Sequence, residues 1–133
     1  MKLQRALTLA AVVTAVTLAG CGGGLYVGID GDGWFDQSPT VNLVADRSSA
    51  RPGQTVRLAA AASDDYYVAE VRFYRVDPDG GSTYLGTDER SPFDWDVTIP
   101  TDAVRGSSLR FSARAVDSIG QRSDSDTVTI TVD

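Results

Sequence analysis

Apolar residues fall along this chain in two rhythms. Residues 6–18 (ALTLAAVVTAVTL) form one uncharged, predominantly apolar run behind Lys2 and Arg5. From Pro39 onward, apolar and polar positions alternate with period two, and clusters of turn residues break the alternation. Val41, Leu43 and Ala45 share one side of a first predicted strand. After Ala50-Arg51-Pro52-Gly53, Val56, Leu58, Ala60 and Ala62 share one side of a second. A third strand over Val68 to Val76 points Val71 and Phe73 one way and Glu70, Arg72 and Tyr74 the other. Asp77-Pro78-Asp79-Gly80-Gly81 marks a turn, and a short strand follows at Thr83 to Thr87. Phe93, Trp95, Val97 and Ile99 then alternate with Asp94, Asp96 and Thr98, and Leu109, Phe111, Ala113 and Ala115 with Arg110, Ser112 and Arg114. Beyond the Asp117-Ser118-Ile119-Gly120 turn, Val128, Ile130 and Val132 alternate with threonines. About seven short strands, each apolar on one face, predict an all-β sandwich of two packed antiparallel sheets.

Composition narrows what such a sandwich can do. The 133 residues suffice for one domain, and 12 Lys+Arg against 18 Asp+Glu leave a net charge of -6. An acidic chain is repelled by phosphate backbones, so nucleic acid is not an expected partner. There is no histidine and one cysteine, which removes the commonest general base, any internal disulfide and any multi-thiolate metal site. Lys2 is the only lysine, so no familiar nucleophile and base can be assembled and a catalyst is not expected. Asp94 and Asp96 share an open sheet face and read as surface charge.

The first rhythm belongs to export. A positive start followed by 13 apolar residues reads as a signal peptide, and it is shorter than the roughly 20 residues a membrane-spanning helix needs. The run ends in Leu18-Ala19-Gly20-Cys21, which resembles the lipobox of bacterial lipoproteins. That resemblance implies cleavage before Cys21, a diacylglycerol on its sulfur and a third acyl chain on the new amino terminus, which together anchor stably. Gly22 is not the aspartate that favours inner-membrane retention in that family, so the expected location is the outer membrane, facing the periplasm. In a single-membrane host it becomes the outer surface of the cytoplasmic membrane. The expected organisation is residues 1–20 signal peptide, 21–38 lipidated cysteine and glycine-rich tether, and 39–133 sandwich. Leu25, Tyr26, Val27, Ile29, Trp34 and Phe35 make the tether more apolar than a solvated linker, so it can dock on the domain, touch lipid or stay free. Asp30-Gly31-Asp32-Gly33 with Asp36 invites comparison with a calcium loop, but the EF-hand spacing and its closing glutamate are missing.

The second rhythm carries its own resemblance. Pro39-Thr40-Val41, Ala50 to Leu58 (ARPGQTVRL), Ala62-Ser63-Asp64, Val68 to Tyr74 (VAEVRFY), Ser91-Pro92-Phe93 and Ala113 to Gly120 (ARAVDSIG) resemble bacterial immunoglobulin-like domains appended to secreted hydrolases and adhesins. The resemblance implies an immunoglobulin-like antiparallel sandwich used as spacer, adhesive unit or accessory module. Unlike antibody domains it has no cysteine pair and no tyrosine corner, so packing around residues such as Trp95 holds the sheets together.

Three groups are candidate sites. Asp64, Asp65 and Asp117 flank the third and sixth predicted strands at one end of the sandwich, where they either cap turns as Asx residues or, with further oxygens, hold Ca²⁺. Turn capping is the favoured reading, and no cofactor beyond the lipid on Cys21 is expected. Arg72, Arg110 and Arg114 form a basic patch on one outer face. Antiparallel pairing predicts Glu70 beside Arg114 and Tyr74 beside Arg110, a ladder that competes with a face for an anionic glycan or lipid headgroup. Tyr66 and Tyr67 precede the third strand, one expected to pack and one to face water or a sugar ring. The expected partners are the membrane, through the anchor, and an envelope protein or a glycan.

Overall fold

The computed structural model describes residues 36–133. The expected signal peptide, Cys21 and the expected tether as far as Phe35 lie outside the described residues. Nine strands occur among the described residues and no helix: β1 (Thr40–Ala45), β2 (Ser49–Ala50), β3 (Thr55–Ser63), β4 (Val68–Val76), β5 (Ser82–Asp88), β6 (Phe93–Thr98), β7 (Ser108–Asp117), β8 (Arg122–Asp124) and β9 (Val128–Val132). They form a three-stranded sheet, β1-β3-β6, and a six-stranded sheet, β2-β9-β7-β4-β5, with β8 also pairing β7.

Two of the nine, β2 and β8, correct the sequence reading of seven, and one pairing corrects its all-antiparallel sheets. After β1 the chain leaves the first sheet, and β2 joins the second by pairing parallel to β9. Two residues are too few to show periodicity, so β2 has no sequence signature. The polar β8 extends the edge of β7 that β9 occupies further along. Between them Ser125 carries the ladder: its N–H donates to the Ala113 carbonyl at 2.8 Å and its hydroxyl accepts the Ala113 N–H at 2.9 Å.

Alternation places the core where the period-two pattern predicts it. Val56, Leu58, Val71, Phe73, Ile99, Ala113, Ala115 and Ile130 are fully buried between the sheets. Residues of this size each contribute about 1.5–3 kcal/mol on burial, the two alanines less. With a single cysteine in the chain, an aromatic clasp links the sheets: Trp95 of β6 stacks on Phe73 of β4, centroids 6.0 Å apart and planes 24° apart. Gly86 of β5 makes room for it. A Cβ at that position would lie 2.1 Å from Trp95 Cη2, so any side chain there displaces the indole.

Candidate functional site

Register brings three segments to one end of the sandwich. Thr40 pairs with Ser63, and Val68 with Asp117. Residues 36–39, the β3–β4 loop and the β7–β8 loop therefore meet there. Asp64 Oδ2 accepts the Tyr66 N–H at 3.2 Å, an Asx turn. Asp117, only 3% exposed, accepts the N–H groups of Ile119 (2.9 Å) and Gln121 (2.8 Å) with Oδ1. Gly120, at φ +92°, lets this turn close. Both aspartates thus cap turns, yet each keeps one oxygen, Asp64 Oδ1 and Asp117 Oδ2, that is buried without a hydrogen-bond partner.

Asp36 completes this group, and the sequence reading assigned it elsewhere. Its carbonyl and its Oδ2 both accept from Gln121 Nε2, at 3.2 and 2.9 Å, and Asp65 Oδ2 accepts the Gln37 N–H at 3.4 Å. Carboxylate oxygens of Asp36, Asp64 and Asp65 lie within 4.8 Å of one another. Partial burial, followed by the charges of Asp65 and Asp117, holds the Asp36 carboxyl above its ordinary 3.8. The six ion pairs among the described residues involve none of these four aspartates.

The same end is apolar at its surface. Tyr66 and Tyr67 are 68% and 61% exposed, which corrects the expectation that one packs: both lie in the β3–β4 loop, where strand alternation does not operate. Ile119, which sequence reasoning passed over as a turn residue, is 67% exposed beside them, and with Asp36, Tyr66 and Ser118 it borders a cavity of about 260 Å³.

The basic patch is arranged differently from its predicted ladder. Glu70 pairs with Arg72, its neighbour on the same face of β4, and not with Arg114. Arg114 instead forms a two-pronged bond to Asp124 of β8, at 2.6 and 2.9 Å, and its guanidinium sits 5.6 Å from the Tyr74 ring centroid. Arg110 is exposed and makes neither contact. The physical reason is register: Glu70 lies opposite Val116, Arg72 opposite Arg114 and Tyr74 opposite Ser112, two residues along β7 from the predicted partners. Tyr84 meets Tyr74 edge to face at 5.7 Å, and Glu70, Arg72, Tyr74, Tyr84, Thr87 and Glu89 line a shallow groove. On the other sheet Arg57 bonds Asp96 at 2.9 Å and lies 4.0 Å from Asp94, which accounts for both as paired surface charge. The arginines hold Asp96 and Asp124 below their ordinary values, opposite in sign to Asp36.

Comparison with known proteins places this architecture. A family model described as bacterial Ig domain matches residues 39–132. No curated protein matches. Among solved structures, the fibronectin(III)-like modules of CbhA from Clostridium thermocellum share 27% identity over 71% of this chain, with a TM-score of 0.55. This chain spans 46% of that one. The superoxide reductase (neelaredoxin) of Ignicoccus hospitalis matches at 9% identity over 74% of this chain and 82% of its own, TM-score 0.51, a likeness of fold alone.

Proposed function

Because the chain belongs to the bacterial Ig domain family, we propose that it is a non-catalytic module, anchored to the cell envelope by lipid on Cys21, that engages a protein partner through the end bearing Asp64 and Asp117. The observation that carries this reading is the exposure of Tyr66, Tyr67 and Ile119 together at that end. Apolar side chains clustered on a small acidic domain are costly to leave in water, and Tyr is a residue type enriched at interfaces. The chain also enters the sandwich here, so a tether from Cys21 brings this end toward the membrane and toward partners held in the same membrane.

Site-specific photocrosslinking from native membranes tests the reading. A probe at position 66 or 119 of the full chain is expected to trap one protein in stoichiometric yield, and the paired change Tyr66→Ser with Ile119→Ser abolishes co-purification of that protein. Co-purification that survives the paired change overturns it. A second reading, glycan binding, is favoured by the groove that Tyr84, a residue 56% exposed, lines with Arg72 and Glu89. Retention on peptidoglycan or surface polysaccharide that Tyr84→Ala removes would support it.

A further inference from the structure

We propose that the outer face of the six-stranded sheet binds an uncharged oligosaccharide laid across β5, β4, β7 and β8. The inference rests on the glycan reading of the Tyr84 groove and names its ligand class. Two hollows lie side by side on this face. One, of about 580 Å³, is lined by Glu70, Arg72, Tyr74, Tyr84, Thr87 and Glu89. The other, of about 260 Å³, takes in Ser112, Arg114, Asp124, Ser125 and Thr127, and Tyr74 borders both. Four neighbouring strands at the usual spacing give the pair a width of about 14 Å, room for a short oligosaccharide.

A bulge in β5 builds the first hollow. Tyr84 lies opposite Tyr74 and Gly86 opposite Phe73, so Leu85 is the extra residue. Strict alternation would turn Thr87 away from Tyr84. The bulge instead sets Thr87 opposite Arg72 on the outer face, where the Tyr84 and Thr87 hydroxyls meet at 2.7 Å. Tyr84 thus offers an exposed, fixed ring beside hydroxyls, and an apolar ring with a polar rim suits the C–H face and the hydroxyls of a sugar.

Charge decides the ligand class. Three arginines on one face predict an anion site, but Arg72 is held by Glu70 and Arg114 by Asp124. Each guanidinium that borders a hollow is therefore already neutralised, and Glu89 repels an anion from the first. Arg110, in no ion pair among the described residues, borders neither hollow. What the face presents is paired carboxylates, guanidinium N–H groups and Ser and Thr hydroxyls, the donors and acceptors that sugar hydroxyls match.

Binding of the full chain, in mild uncharged detergent, to microplates coated with single polysaccharides tests this. Laminarin, arabinoxylan and galactomannan are the uncharged probes, polygalacturonate and alginate the acidic ones. At least one uncharged polymer should hold the chain and neither acidic one should, and raising salt from about 0.01 to about 1 M should leave the binding unchanged. Tyr84→Ala should weaken it by about tenfold, and Arg110→Ala should match wild type. Glu70→Gln with Asp124→Asn frees both guanidiniums and should gain binding to polygalacturonate. A cooperative melt verifies that each variant folds. Binding to the acidic polymers alone, lost in Tyr84→Ala, overturns the uncharged ligand and leaves the glycan reading standing. Binding to no polymer overturns both, and binding that survives Tyr84→Ala overturns the site.

Discussion

The faces of this sandwich and its Asp64/Asp117 end carry the same kinds of charge in opposite arrangements. On the faces, acids and arginines meet in pairs: Arg72 with Glu70, Arg114 with Asp124, Arg57 with Asp96. At the end, Asp36, Asp64 and Asp65 gather and Asp117 caps the neighbouring turn, none of them in an ion pair among the described residues, and one oxygen each of Asp64 and Asp117 is buried without a donor. The difference separates two uses of polar residues. A compensated pair in water contributes little and keeps an open sheet soluble. Uncompensated charge held by tight turns persists only because the surrounding turns and core enforce it, and such places are where function is expected.

The largest predicted effect tests the frame on which both regions depend. Gly86→Ala forces Trp95 off Phe73 and should cost about 3 kcal/mol in urea unfolding. A neutral outcome would mean that the sheets are not clasped there, and the two regions would then have no rigid body between them. Next comes the end itself. Asp117→Ala strips the N–H groups of Ile119 and Gln121 of their acceptor and should cost about 2 kcal/mol, whereas Asp117→Asn keeps the acceptor and should cost far less. Equal losses would make the charge of Asp117, not its turn, the stabilising feature. On the faces, Arg114→Ala removes the Asp124 pair and the Tyr74 contact together, and should cost at most about 1 kcal/mol.

The smallest effect is one of sign. Asp124, held low by Arg114, contributes stability that is present above the ordinary 3.8 and is lost as pH falls through its lower folded value. Asp36, held high by burial and its acidic neighbours, contributes stability that is present below 3.8 and is lost as pH rises through its higher folded value. The advantage of Asp36→Asn over wild type should therefore grow as pH rises from 3.8 through that higher folded value and level off above it, while the deficit of Asp124→Asn should vanish as pH falls from 3.8 through its lower folded value. Urea midpoints across the acid range read both slopes.

Much of this architecture was legible in the sequence. Val56, Leu58, Val71, Phe73, Phe111 and Ile130 sit inward as period-two alternation requires, because a half-buried strand has no other way to satisfy both faces. Ser49–Ala50 and Arg122–Asp124 escaped notice because strands of two and three residues show no period, and their pairing is dictated by the neighbours they meet. The partners of Glu70 and Tyr74 were misread because the true register lies two residues away, and a slip of two keeps every side chain on its own face and so leaves no mark on a pattern of apolar positions. Asp64, Asp65 and Asp117 could be placed at one end from topology. Asp36 could not, since nothing in a glycine-rich acidic stretch tells which carboxylate turns back onto the domain.

The central claim is that the end, unlike the faces, is short of positive charge. Its most direct test is the urea midpoint of the full chain at neutral pH and low ionic strength. Three proteins are compared: wild type, Asp64→Asn with Asp65→Asn, and Asp96→Asn with Asp124→Asn. The account predicts that the first pair raises the midpoint, since it relieves like charges while the amide oxygens keep the turn acceptors, and that the second lowers it, since it strips Arg57 and Arg114 of their partners. A lower midpoint for both variants, or a change in neither, would contradict it.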